Sequence, residues 1–265
     1  MAGEPGPRST FPRSADLALA HALADAADGL ALARYRAADL RVETKPDLTP
    51  VTEADRAVEQ ALRAVLATER PDDLVLGEEF GGGLAQAGRQ WILDPIDATK
   101  NYVRGVPVWA TLIALAVDAT VEVGLVSAPA LGRRWWAARG AGAWTLGPEG
   151  QRQLRASGVR TLSDASLSVS DHVGWAPGVL ERLTGSVWRA RAYGDFWSHL
   201  LVAEGAVDVA AEPELHPWDV AALVPIVEEA GGRITGYDGA AALGAGSGVT
   251  TNGLLHDQVL GLLGG

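Results

Sequence analysis

Three short acidic clusters, Gly77-Glu78-Glu79, Asp94-Pro95-Ile96-Asp97 and Trp218-Asp219, stand at the ends of apolar runs in widely separated parts of the chain. Carboxylates at such junctions point to a sheet-based fold that gathers hard oxygen ligands around divalent cations. The rest of the sequence has to be read against that demand.

The chain has 265 residues, 48% of them hydrophobic, enough for one large domain or two smaller ones sharing an interface. It has no cysteine, which excludes disulfides, thiolate zinc sites and cysteine nucleophiles and agrees with a reducing cytoplasm. Met1 to Pro12 is rich in Gly, Pro and Ser, lacks the apolar core of a signal peptide and reads as a disordered tail. No apolar run reaches membrane-spanning length, so the expectation is a cytoplasmic protein without a membrane partner. A formal net charge of −11 disfavours nucleic acid. It does not exclude a phosphorylated metabolite, because a Debye length of roughly 8 Å hides distant charge and bound cations reverse the local sign.

Apolar residues at Leu17, Ala20, Leu23, Ala24, Ala27, Leu30 and Ala31 predict an amphipathic helix over residues 14–38. A polar loop follows to Pro50, and a second helix over 52–66 buries Ala54, Val58, Leu62 and Val65. Strands over 74–76 and 90–93 put Glu78 and Asp94 at strand ends, and an antiparallel set follows over 109–117, 122–127, 134–139 and 143–146. From about residue 157 strands and helices alternate: strands at 167–170, 188–192 and 207–210, and helices at 177–183 and 195–204. A helix after Asp219, strands near Arg233 and at 249–251, and a closing helix from Leu254 complete the chain. The expected division is a tail (1–12), an N-terminal α+β part (13–156) and a C-terminal α/β part (157–265).

Asp94 and Asp97 flank a proline that removes an amide and fixes a turn, so both side chains can converge on one point. Ala98 and Thr99 follow, small residues whose amides could hold a phosphate. The adjacent carboxylates of Glu78 and Glu79 repel each other, which is explained if one binds metal and the other orients a ligand. Thr52 and Asp55 have capping-box spacing, a structural explanation that leaves one oxygen of Asp55 free to contact metal or water. Capping alone also explains Asp219, which precedes an apolar helix. Pro225 inside that helix should bend it or free the carbonyl of Ala221. The five histidines show no H-E-x-x-H spacing, and neither G-x-S-x-G nor a Walker A pattern occurs.

Taken together, Gly77-Glu78-Glu79, Trp91-x-x-Asp94-Pro95-Ile96-Asp97-x-Thr99-x-Asn101 and Trp218-Asp219-Val-Ala-Ala continuing to Gly231-Gly232 resemble the inositol monophosphatase family. The resemblance implies a layered αβαβα sugar-phosphatase fold of mixed α+β and α/β character, two or three Mg²⁺ ions that Mn²⁺ could replace, lithium sensitivity and a homodimer. It implies that Glu78, Asp94, Asp97, Asp219 and the Ile96 carbonyl bind metal. It gives catalytic roles to Asp55, Thr99 and Glu78, phosphate contacts to Ala98 and Thr99, and a supporting place behind the ligands to Glu79.

Two departures stand out. Ala98 replaces the usual glycine and is expected to avoid a left-handed backbone, altering the phosphate loop. Tyr193-Gly194-Asp195-Phe196-Trp197 sets an acid and two large aromatics where small residues are usual. Asp195 and Glu212 would then present two negative charges to the leaving alcohol, which suits a cationic amino alcohol better than a neutral polyol. The alternative for Asp195 is a simple helix cap. With Ala98-Thr99-Lys100 and Val106-Pro107-Val108-Trp109, this segment resembles the histidinol-phosphatase branch of the family. The expected reaction is hydrolysis of L-histidinol phosphate, with inositol 1-phosphate or a broader sugar-phosphate range as the alternative and a non-catalytic binding protein behind both.

Overall fold

The computed structural model describes residues 13–45 and 49–264; the expected disordered tail, 1–12, lies outside the described residues. Helix α1 (Arg13–Arg34) buries Ala20, Leu23, Ala24, Ala27 and Ala31, and it ends four residues before the predicted end. Arg36 adopts a left-handed backbone (φ 61°) just beyond it, which no α-helix continues through. Leu30, expected on the buried face, is 39% exposed. The polar loop contains a short strand that the pattern concealed, because all three residues of β1 (Val42–Thr44) are exposed; it pairs antiparallel with β2 (Pro50–Thr52).

Helix α2 (Glu53–Glu69) leads into a seven-stranded sheet made of β3 (Leu74–Gly77), β4 (Arg89–Asp97), β5 (Ala110–Val117), β6 (Thr120–Ala128), β7 (Arg133–Ala138), β8 (Ala143–Gly147) and β9 (Gly150–Gln153), adjacent in that order. Only β3 and β4 run parallel; the remaining pairs are antiparallel. The edge strand β9, polar and fully exposed, carries no alternating pattern to predict it. The one-turn-and-a-half helix α3 (Thr99–Arg104) interrupts the sheet between β4 and β5.

The second sheet has five strands, ordered β11 (Arg189–Arg191), β10 (Ser166–Ser168), β12 (Val209–Glu212), β14 (Gly248–Thr251) and β13 (Arg233–Thr235). Between and around them run α4 (Val179–Ser186), α5 (Asp195–Ala203), α6 (Pro217–Val220), α7 (Leu223–Glu229) and α8 (His256–Leu263).

Period-two alternation splits the large sheet into two apolar faces. Trp91, Leu93, Ile113 and Leu115 pack against α1 and α2, while Ile92, Leu112, Ala114 and Trp135 pack against α5 and α7. The small sheet contributes Leu167, Val209 and Val249 to a core with α4 and α8. The layers are therefore helix, sheet, helix, sheet, helix, as the resemblance implied. Among the described residues no helix is long and apolar enough to cross a membrane.

Pro225 divides the predicted helix at Ala221 and Ala222 into α6 and α7. The junction presses on β6 at Gly124, where a Cβ would lie 2.1 Å from the Ala222 carbonyl oxygen and 2.7 Å from Pro225 Cγ. Only glycine allows this approach, and the approach brings Asp219, on α6, to the end of β4.

Candidate metal centre and active site

The pairing of β4 with β5 holds the geometric key. Asp94 faces Leu112 and Asp97 faces Ala110, so three steps on β4 span two on β5. This is a one-residue bulge. Ordinary alternation would turn Asp94 and Asp97 to opposite faces; the extra residue sets both on the face shared by Leu112 and Ala110, toward α5 and α7. Pro95 suits the bulge because it has no amide to leave unpaired, and its carbonyl accepts a hydrogen bond from Thr111 Oγ1 at 2.8 Å.

Asp219 meets them from α6. It is the third residue of that helix rather than the residue before it, and its Oδ2 accepts the His216 N–H at 2.7 Å. Capping therefore uses one of its oxygens. Asp94, Asp97 and Asp219 each offer an oxygen within 4.8 Å of the others'. Asp97 Oδ2 also accepts the Phe196 N–H at 2.9 Å, which anchors the start of α5 to the cluster. Asp94 Oδ1 is buried and has no hydrogen-bond partner.

Burial, then the charges of Glu78, Asp97 and Asp219, raises the Asp94 carboxyl well above its ordinary range. Burial, then Asp195 and Asp219, does the same for Asp97, and burial pushes Asp219 up to about 7. An orphaned buried oxygen among mutually repelling oxygen donors fits a hard divalent cation.

Glu78 continues from β3, its N–H bonded to the Leu93 carbonyl at 3.2 Å, next to the cluster. Its Oε1 is held by Lys45 Nζ at 2.6 Å, and Lys45 also pairs with Glu79 Oε1 at 2.6 Å. Glu78 is thus neutralised by an ammonium and stands beside the three converging aspartates, near enough for its charge to raise Asp94. Glu79 is raised by burial, against the pull of Lys45.

Asp55 closes the capping box with one oxygen and turns the other toward Thr99. Its Oδ2 accepts the Thr52 N–H at 2.8 Å and closes the capping box, while Oδ1 lies 3.2 Å from Thr99 Oγ1. Thr99 Oγ1 is also 2.9 Å from the Ile96 carbonyl oxygen. Ala98 corrects the expectation made for it, because it does take the left-handed backbone (φ 64°, ψ 45°). Its carbonyl starts α3 by accepting the N–H groups of Asn101 and Tyr102 at 2.9 and 3.1 Å, which holds the residue in a region alanine otherwise avoids.

A cavity of about 760 Å³ opens above these groups and continues to Asp195, Glu212 and Ser170. Gly194 occupies the cap position of α5, and Asp195 follows as its first residue with φ 49°, its Oδ2 3.4 Å from Asn101 Nδ2. The simple-cap alternative for Asp195 thus fails. Ser170 Oγ accepts the Asp195 N–H and donates to Glu212 Oε1, tying the two acids together. Burial pushes Glu212 up to about 8, and burial raises Asp195 while Lys100 opposes it.

Lys45, Glu59 and Ser170 escaped the sequence reading, and Asn101 appeared there only as a motif residue without a role. Asn101 Nδ2 donates to the Val108 carbonyl at 2.9 Å and approaches Asp195 Oδ2 at 3.4 Å. Glu59 alone had a visible signal, lying four residues after Asp55 and so on the same helix face. Lys45 lies in a polar loop without periodicity.

A family model described as the inositol monophosphatase family matches residues 14–263. The chain belongs to the inositol monophosphatase family. Members of this family depend on divalent metal, in agreement with the acidic cluster. Over 251 residues the chain is 62% identical to a histidinol-phosphatase of Mycobacterium tuberculosis, spanning 92% of this chain and 96% of that protein. Over 259 residues it is 56% identical to a histidinol-phosphatase of Streptomyces coelicolor, spanning 94% and 96%. The solved IMPase of Thermotoga maritima superposes with a TM-score of 0.83 at 30% identity, covering 96% of this chain and 97% of that one.

Proposed function

We propose that this inositol monophosphatase family member hydrolyses L-histidinol phosphate to L-histidinol and inorganic phosphate, a step of histidine biosynthesis. The observation that carries the reading is the pair of acids, Asp195 and Glu212, joined through Ser170 on the wall of the cavity that begins at the aspartate cluster. Two carboxyl groups suit a leaving group that bears an ammonium and an imidazole: a charge-assisted hydrogen bond contributes roughly 1.5 to 3 kcal/mol, and a cation bound beside Glu212 counters the burial that otherwise keeps its proton on. The relatives named above act in the same direction.

Glu78, Asp94, Asp97, Asp219 and the Ile96 carbonyl are the groups that would hold Mg²⁺, two or three ions, with Mn²⁺ as a substitute. When bound, such ions acidify water and neutralise charge on the phosphoryl oxygens. The chain's own part begins at Thr99, whose hydroxyl receives a hydrogen bond from the attacking water and passes its own proton toward Asp55 Oδ1. Glu79 stands behind Glu78 and fixes it through their common partner Lys45. The amides of Ala98 and Thr99 bind the phosphate. As the new P–O bond forms from water, the ester P–O bond breaks and the departing oxygen takes up a proton, so that water and monoester give phosphate and alcohol.

The same reading includes a cytoplasmic homodimer and a division of the chain near residue 156. Phosphate release in Mg²⁺ tests it directly, by comparing kcat/KM for L-histidinol phosphate and inositol 1-phosphate on one preparation. The expected preference for the former is at least about a hundredfold, or about 2.7 kcal/mol. Equal rates would leave a broad sugar phosphatase, and no turnover of either would leave a binding protein.

A further inference from the structure

Glu59 is fully buried, although no role in the reaction requires it. It sits one turn after Asp55 on α2 and reaches into the tight turn that follows β3. Its Oε2 accepts the Glu79 N–H at 2.7 Å; its Oε1 accepts the Phe80 N–H at 3.3 Å and the Arg63 Nε–H at 2.7 Å. Arg63 then donates from Nη2 to the Gly81 carbonyl at 2.8 Å. The turn is closed on itself by Gly77 N–H to Gly81 O at 3.2 Å and Gly81 N–H to Gly77 O at 3.1 Å.

The glycine of Gly77-Glu78-Glu79 belongs to this arrangement. A Cβ at position 77 would fall 1.9 Å from Glu59 Oε1, so any side chain there would expel the carboxylate from the turn. A buried charge is costly unless fully partnered, and here the backbone amides of the turn and one guanidinium supply the partners. What this turn carries is Glu78, between β3 and the aspartates at the end of β4.

We infer that Glu59, with Arg63 as its counter-charge, is a positioning residue that aims the Glu78 carboxylate at the metal centre. The inference rests on the divalent-metal reading above. Glu59 touches neither the substrate cavity nor the three converging aspartates; it acts through the backbone on either side of Glu78.

Glu59→Gln keeps the shape but sets an amide N–H against either the Glu79 N–H or the Arg63 guanidinium, so one arm of the clamp must open. Mg²⁺ is titrated calorimetrically into metal-free wild type and variant, and thermal unfolding is followed in EDTA. Glu229→Gln serves as the control, because Glu229 likewise accepts two turn amides, those of Gly140 and Gly142 at 2.8 Å each, on the β7–β8 turn. The expected result is a Mg²⁺ dissociation constant weakened about tenfold or more by Glu59→Gln. Glu229→Gln should lower Tm without changing Mg²⁺ affinity, and substrate KM at saturating Mg²⁺ should stay near wild type in Glu59→Gln. Equal Mg²⁺ affinity in Glu59→Gln and wild type would make Glu59 a purely structural group and overturn the inference. Should Glu59→Gln fail to fold, Arg63→Met carries the same comparison with the same two outcomes. A wild-type protein that binds no Mg²⁺ would overturn the metal reading itself, a result visible before any variant is made.

Discussion

Asp55 divides its carboxylate between two threonines, Oδ2 bonded to Thr52 at the start of α2 and Oδ1 set 3.2 Å from Thr99 Oγ1. Asp55→Asn separates the two tasks. Its amide oxygen still accepts the Thr52 N–H, while its NH₂ turns to Thr99 and leaves that hydroxyl with the Ile96 carbonyl as acceptor but no carboxylate base. The expected outcome is a Tm close to wild type in EDTA together with a fall in kcat of roughly 10²–10⁴-fold, the contribution of a positioned base. Steady-state phosphate release and calorimetry on the same sample check it.

Metal should stabilise the fold because it relieves repulsion among Asp94, Asp97 and Asp219. At a Mg²⁺ concentration of 100 times its dissociation constant the gain is about 2.7 kcal/mol. Asp97→Asn removes one charge from the cluster and should reverse the ranking: more stable than wild type in EDTA, less stabilised by Mg²⁺, and depressed in kcat/KM by at least about a hundredfold. Identical melting curves in EDTA and Mg²⁺ for wild type would contradict this.

Glu212, pushed up to about 8 by burial, holds a proton in the folded state that the unfolded chain releases near its ordinary value. Between roughly pH 4.5 and 8 the native state therefore binds more protons, and its stability falls as pH rises, by at most ~1.4 kcal/mol per pH unit from this group. Below that window both states are protonated and the contribution is fully present; above it the contribution is lost. In EDTA, Glu212→Gln should show a shallower decline of stability between pH 5 and 8 than wild type, measured by urea unfolding.

In the proposed reaction Asp195 contributes negative charge to the cavity wall that receives the leaving group. Asp195→Asn should lower kcat/KM for L-histidinol phosphate by about ten- to a hundredfold, the worth of one charge-assisted bond, and leave inositol 1-phosphate hydrolysis far less affected. A parallel loss on both substrates would return Asp195 to a role in shaping α5.

Gly124→Ala tests how Asp219 is placed. The new methyl would overlap the Ala222 carbonyl and Pro225, forcing the α6–α7 junction off β6. Overpacking of this kind costs about 1–3 kcal/mol. Urea unfolding should show the loss, and Mg²⁺ affinity should fall with it because α6 carries Asp219.

Much of the fold was legible because burial leaves a period. The buried faces of α1 and α2 repeat every three to four residues, and β4 to β8 alternate between two apolar cores, so these elements could be placed within a few residues. β1 and β9 could not, since strands exposed on both faces have no pattern to read. The helix after Asp219 was visible as an apolar run, but its division at Ala221 and Ala222 depended on Pro225 meeting Gly124 across the sheet.

The sequence by itself determined which groups the site contains: acids at the ends of strands, a capping box with an oxygen to spare, and an acid at the head of α5. Those are local facts, fixed by residue identity and spacing. Tertiary structure decided how they meet. Asp94 and Asp97 share a face because β4 carries one more residue than β5 across the bulge, a register that neither strand encodes alone. Ala98 is held left-handed by the start of α3, against its own preference. Glu59 became a clamp because Gly77 left room for a carboxylate 18 positions earlier in the chain. Contacts of this kind join segments remote in sequence, and their energies depend on distances that only the folded chain establishes.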